Sequence, residues 1–174
     1  MKKIAVIFAF GTEEIESLTP VDVLRRSGVE CDIIGVGGSF PVGSHNIMIK
    51  ADKTVEEVDF NDYDGIVIPG GMPGATNIAA CEKVVDAASK MLNCGKVVAS
   101  ICASPAVVLA NTGVVKNKRV TCYPAQNFIN MLSNCDYTAE NVTVDKNLIT
   151  ANGPKAALEF SFEICRALGL EPKI

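Results

Sequence analysis

The chain has 174 residues, 48% of them hydrophobic, and a formal charge of -4 with acids and bases interspersed. That is enough apolar content for one sizeable core, with no basic stripe for nucleic acid or an anionic membrane. No apolar run approaches the about 20 residues of a membrane span, and no linker or charge run divides the sequence, so residues 1–174 are expected to form a single domain.

The seven cysteines are odd in number, contain no C-x-x-C and stand beside a single histidine. This speaks against a disulfide framework and against a zinc site, and for a reducing compartment. Lys3 to Phe8 is a continuous apolar run that meets Gly11 and two glutamates at once and lacks a small-residue cleavage pattern. It reads as the first strand of a cytoplasmic protein and not as a signal peptide. A helix follows to Ser27-Gly28, with Pro20 inside it as either a kink, the favoured reading, or the first position of a second helix capped by Thr19. Glu13, Glu14 and Glu16 sit at its start, where the dipole alone would favour carboxylates.

Glu30 to Ile34 is a second strand. The glycine-rich Gly35 to Ala51 stretch, with Ile47 to Ile49 as its best extended piece, predicts a hairpin or edge strands, and Thr54 to Glu57 a short helical turn. Asp64 to Ile68 is a buried strand ending at Pro69-Gly70-Gly71-Met72-Pro73-Gly74. The glycines of that turn permit positive φ or close approach to a ligand, although no phosphate-loop fingerprint is present. Ala79 to Asn93 shows a helical stripe of Val84, Val85, Ala88, Met91 and Leu92.

Lys96 to Ile101 has the β-branched content of a strand buried on both faces, and Ser104-Pro105 sets up the first turn of a helix through Leu109. Cys102 falls in the turn between them. A strand-to-helix turn lifts a nucleophile above the sheet edge, and the following helix favours a thiolate. Cysteine is equally at home packed in an apolar core, and this stretch alone leaves both readings open. Arg119 to Cys122 reads as a strand, Ala125 to Leu132 as a helix, Val142 to Val144 and Leu148 to Thr150 as a hairpin, and Ala156 to Leu168 as the last helix after Asn152-Gly153-Pro154. Strands alternating with helices around uniformly apolar central strands predict a three-layer α/β/α sandwich on a mostly parallel sheet. The breaks at Phe10 to Glu16, Pro69 to Gly74 and Ser100 to Pro105 should then converge on one pocket beyond the carboxyl ends of the strands.

Four blocks in register resemble the DJ-1/ThiJ/PfpI superfamily, in its DJ-1-like branch: GTEEIESLTPVDVLRRSG at Gly11 to Gly28, YDGIVIPGG at Tyr63 to Gly71, VASICASP at Val98 to Pro105, and NGP at Asn152 to Pro154. The resemblance implies a flavodoxin-like fold, a homodimer, Cys102 as a nucleophile at the elbow, Glu16 against its sulfur, and oxyanion-type backbone donors at Gly71 and Ala103. A carboxylate beside a thiolate would repel it, so Glu16 is expected to hold the proton when Cys102 ionises, the two titrating as a coupled pair.

The chain also departs from its relatives. Protease- or amidase-like relatives place a histidine directly after the nucleophile, where this chain has Ala103, which makes a protease or amidase role less favoured. Tyr123 stands where the DJ-1-like branch often has a histidine, while His45 and Asn152 stand where arginines often face the pocket mouth. Tyr123, Asn152, Gly153, Pro154 and His45 are therefore retained as pocket residues. Some relatives carry a further helix after the point where this chain ends, so a more open site, or one completed by the dimer partner, is expected. Ile15, Leu18 and Val21 offer apolar contact to such a partner or to the core.

The resulting expectation is a cofactor-independent, metal-free cysteine enzyme of the glyoxalase or deglycase type. It would act on a small-molecule carbonyl substrate, an α-oxoaldehyde or its adducts, in stress protection. A peroxide sensor or redox-regulated chaperone working through Cys102 is the alternative. A flavin module is disfavoured by the absence of tryptophan and the presence of only three tyrosines.

Overall fold

The computed structural model describes residues 1–174. Strand β1 (Lys3–Ala9) alternates cleanly: Ile4, Val6 and Phe8 point to one face, and Ala5, Ile7 and Ala9 to the other, all essentially sealed from solvent. This period of two on a strand apolar from Ile4 to Ala9 is what a central parallel strand covered on both faces requires. It pairs in parallel with β2 (Glu30–Val36), reached through helix α1 (Glu14–Arg26), and with β4 (Gly65–Ile68) on its other side. The short β3 (Lys53–Thr54) extends the sheet beyond β2, and β5 (Val97–Ile101) lies beyond β4. A hairpin of β8 (Val142–Asp145) and β9 (Leu148–Ala151) completes the order β3-β2-β1-β4-β5-β9-β8, with β8 the one antiparallel member.

Helices α1 and α5 (Ala157–Ala167) cover one face, burying Leu24, Phe160 and Ile164 against Val6, Val67 and Ile101. Helices α2 (Gly74–Ala79) and α3 (Glu82–Asn93) cover the other, placing Ile78, Val84, Ala88 and Met91 on Ile7, Ile66, Ile68 and Val98. The result is the expected three-layer α/β/α sandwich. The chain runs outward from β1 in one direction to β3 and in the other to β8. Strand order therefore reverses between β1 and β4, where ligands of open α/β sheets bind.

The structure refines the local expectations in several places. The predicted Ala79–Asn93 helix is two helices, because Cys81 takes an extended conformation (φ -90°, ψ 93°) that ends one and caps the next. After the elbow the chain forms a single widened π turn, Pro105–Leu109, running into a 3-10 turn at Ala110–Thr112. Strand β6 (Arg119–Val120) leaves the main sheet to pair with the unforeseen β7 (Asp136–Tyr137), and α4 (Gln126–Met131) lies between them. Helix α1 is a single helix with Pro20 inside it, as in the favoured reading, and has no second start at Thr19. Cys94 is exposed at the α3 terminus. The glycine-rich stretch is a loop closed by one antiparallel bridge, Val42 to Met48. No helix is long and apolar enough to cross a membrane.

Candidate active site

The three predicted breaks meet at the switch point. Glu13 N donates to Gly70 O (3.0 Å), tying the start of α1 to the loop after β4, and Ser104 Oγ donates to Pro69 O (2.5 Å), tying that loop to the elbow. Cys102 itself has φ +65°, a left-handed conformation that a residue with a Cβ adopts only when its surroundings impose it. The imposition is visible: Cys102 N donates to Ala151 O and Cys102 O accepts from Tyr123 N, each at 2.8 Å. The strained peptide is clamped on both sides, and the Cβ is turned towards β4.

Gly70 makes room for it. A Cβ at residue 70 would lie 2.6 Å from Cys102 Cβ, 2.7 Å from Glu16 Oε2 and 2.9 Å from Ile101 O. A glycine is therefore the only residue that lets the thiol and the carboxyl approach each other here. Glu16 is fully buried, and its Oε2 accepts from Gly70 N at 2.8 Å while Oε1, also buried, has no conventional hydrogen-bond partner. That carboxyl group faces the Cys102 sulfur, and the backbone N–H groups of Gly71 and Ala103 are directed at the same sulfur.

Burial dominates the electrostatics of the pair. It pushes the Glu16 carboxyl up to about 7, with the charge of Glu13 adding to the effect and the bonds from Cys102 and Gly70 opposing it. It likewise pushes the Cys102 thiol up to about 12, reinforced by Glu16, against the N–H groups of Gly71 and Ala103. Two backbone donors thus do not make a thiolate on their own, contrary to the expectation from the elbow alone. Each group resists ionisation while the other is charged, so from about pH 7 to about pH 12 the pair carries one proton and one negative charge between them. With the proton on Glu16, its orphaned Oε1 gains a donor aimed at sulfur.

The remaining predicted residues separate. Tyr123 is 45% exposed beside the elbow, its ring edge-on to Phe128 and 3.5 Å from where a Cβ on Gly153 would stand. Asn152 is turned to Asn141, which its side-chain amide (3.1 Å) and backbone N–H (3.0 Å) both meet, and Pro154 opens the 3-10 turn before α5. His45 is held by Glu14 and Glu13 and makes no hydrogen bond to Cys102 or Glu16. Sequence reasoning missed Gly70 and Ser104 as the groups that set the thiol–carboxyl approach. The dense Pro-Gly-Gly turn was a visible signal for the first, whereas nothing local marked the second.

A doubly wound α/β domain with a cysteine at a strained strand-to-helix turn and a buried carboxyl against its sulfur defines the class. The DJ-1/PfpI family model matches residues 2–167, and the chain belongs to that family. It is 37% identical to DJ-1 homolog B of Arabidopsis thaliana over 93% of its own length but only 37% of that protein's. The chain thus spans well under half of that plant relative. The solved structure of Drosophila melanogaster DJ-1beta superposes with a TM-score of 0.89 at 34% identity, covering 99% of this chain and 91% of that one. A deglycase of Pyrococcus abyssi is 29% identical, with 87% of this chain and 90% of that protein aligned.

Proposed function

We propose that the chain is a cysteine-dependent enzyme acting on reactive α-oxoaldehydes such as methylglyoxal, or on their adducts, in the manner of a glyoxalase or deglycase. The observation that carries this reading is the buried Glu16 carboxyl with an unpartnered oxygen against the sulfur of Cys102, which two backbone N–H groups also face. The name of the Pyrococcus relative supports it.

The sulfur of the singly charged pair adds to the aldehyde carbon, forming a C–S bond, and the carbonyl oxygen takes a proton to give a hemithioacetal. The Gly71 and Ala103 N–H groups stabilise the oxyanion as it forms. Glu16, as carboxylate, then removes the proton from the former aldehyde carbon and returns it to the adjacent carbon, while the hemithioacetal hydroxyl proton passes to the neighbouring carbonyl oxygen, leaving the thioester of a 2-hydroxy acid. Water cleaves the C–S bond of the thioester, releasing a hydroxy acid and regenerating the thiol. Methylglyoxal plus water yields lactic acid, with no external oxidant or reductant.

The same orphaned Oε1 favours one alternative, a peroxide sensor in which Glu16 donates to an oxygen of an oxidised Cys102 sulfur. A homodimer in the cytoplasm fits either role. Ile15, Ile47 and Met48 are exposed, and Glu14 ties the Ile47 backbone to the start of α1, so these residues offer apolar contact to a second copy. Val21 is buried and belongs to the core.

The test is steady-state turnover of methylglyoxal by wild type, Cys102→Ser and Cys94→Ser. Loss in the Cys102 variant alone is expected, because Cys94 is the exposed thiol outside the site. Turnover near wild type in Cys102→Ser would remove the proposed chemistry from the elbow, and absence of turnover in wild type would leave the sensor.

A further inference from the structure

Beside the sulfur site, and unused by its chemistry, three metal-ligating side chains converge from α1 and the loop after β2. His45 Nδ1 stands 3.1 Å from Glu14 Oε2 and 3.6 Å from Glu13 Oε1, and all three donor atoms lie within 4.8 Å of one another. Donors held about 2.0–2.1 Å from a tetrahedral zinc ion are about 3.3 Å apart. The two spacings from the imidazole bracket that value.

An ordinary ion pair would not need the rest of the arrangement. Each carboxylate is anchored through one oxygen and presents the other. Glu14 Oε1 accepts from His45 N (2.9 Å) and Ile47 N (3.4 Å), leaving Oε2 to the imidazole and to Ser44 Oγ (3.3 Å). Glu13 Oε2 caps α1 by accepting from Glu16 N (2.9 Å), leaving Oε1 towards the ring. Gly43 is the cradle for this packing, since a Cβ there would lie 2.2 Å from Glu14 Oε1. Such outer bonds orient metal-binding carboxylates before the ion arrives.

Charge is the second, independent observation. The Glu14 and Glu13 side chains are only 6% and 13% exposed, neither has a lysine or arginine within 4.0 Å, and the charge of Glu13 also acts on the buried Glu16 carboxyl. The His45 imidazole, 71% exposed, is the only basic side chain within 4.0 Å of the two closed-in carboxylates. Its exposure leaves room for water on an ion bound between the three.

We infer that His45 Nδ1, Glu14 Oε2 and Glu13 Oε1 bind a divalent transition cation of the zinc type. One nitrogen with two carboxylate oxygens suits zinc and disfavours magnesium or calcium, which take oxygen donors.

His45 is the chain's only histidine, so one imidazole spin system reports the site directly. The full chain, without an affinity tag, is titrated with Zn2+ while the imidazole nitrogen resonances are followed, so that uptake by cysteines elsewhere is not mistaken for binding here. The expected result is a saturable shift of the Nδ1 resonance at one equivalent, and affinity weakened at least about tenfold in Glu13→Gln. In a parallel calorimetric titration, His45→Gln, which alters an exposed side chain, should lose one binding event while keeping the wild-type melting temperature without metal. An Nδ1 resonance unmoved by millimolar Zn2+, or equal uptake by wild type and His45→Gln, would overturn the assignment. Neither outcome bears on methylglyoxal turnover, which tests Cys102 separately.

Discussion

Replacing Glu16 by glutamine should change how stability depends on pH, by an amount that follows from burial. The Glu16 carboxyl titrates near 4.5 in an unfolded chain and near 7 in the folded one, chiefly because burial disfavours its charge. Below pH 4.5 both states hold the proton, and above about 7 neither does. Between those limits the folded state binds it more tightly, so stability falls as pH rises through the interval. At about 1.4 kcal/mol per pH unit the full loss is about 3 kcal/mol. Glutamine keeps the acceptor for Gly70 N and an amide towards sulfur but cannot ionise, so its curve lacks this fall. Glu14 and Asp32 work in the opposite direction. Burial tends to raise each, but the bonds from His45, and from Lys53 and Tyr63, outweigh it, so their contributions are lost towards acid pH in both proteins. The quantity to measure is therefore the difference in urea-unfolding free energy between wild type and Glu16→Gln from pH 4 to 8. Wild type should lose about 3 kcal/mol relative to the variant, or roughly 1.5 M in midpoint for a slope of about 2 kcal/mol/M. Parallel curves would show that Glu16 titrates in the folded state as it does in the unfolded chain, and the account of a shared proton would fail.

Two further substitutions test how the site is held. Gly70→Ala forces a methyl group against Cys102 Cβ, Glu16 Oε2 and Ile101 O; a loss of about 1 to 3 kcal/mol by chemical denaturation is expected, with turnover falling further than stability. Wild-type turnover in that variant would mean that the close approach of thiol and carboxyl is dispensable. Ser104→Ala leaves Pro69 O without its buried donor and should cost about 1 to 3 kcal/mol, read as a lowered melting temperature. An unchanged melting temperature would show that the loop and the elbow are positioned by other contacts.

Much of the architecture was legible because it follows from local rules. The continuous apolar run from Lys3 to Phe8, the apolar run before Cys102 and the Asp145-Lys146-Asn147 turn each specify their element from neighbours in the chain, and Thr54 with Glu57 closes a capping box within four residues. Cys102 was placed at a turn by Ser104-Pro105 following it, and the motif resemblance paired it with Glu16. Short pieces were misjudged where long-range contacts decide. Arg119 and Val120 have strand-like side chains, but their hydrogen bonds go to Asp136 and Tyr137, whose pairing no local pattern announces. Proline 20 is tolerated within α1 because a helix packed against α5 and the sheet is not decided by propensity alone.

The sequence by itself determined which elements form and which cysteine ends a buried strand, since those depend on side-chain period and turn chemistry over a few residues. Only the tertiary structure decided how the protons are held. The thiol's rise to about 12 comes from burial and from Glu16, 86 positions away in sequence, and the carboxyl's rise to about 7 comes from burial and the charge of Glu13, against the bonds from Cys102 and Gly70. It also brought Glu13 and Glu14 to a histidine some thirty residues away, giving a donor set that a count of one histidine argued against. Desolvation and donor spacing are properties of packed surfaces, and they come into being only when distant segments share a face of the sheet.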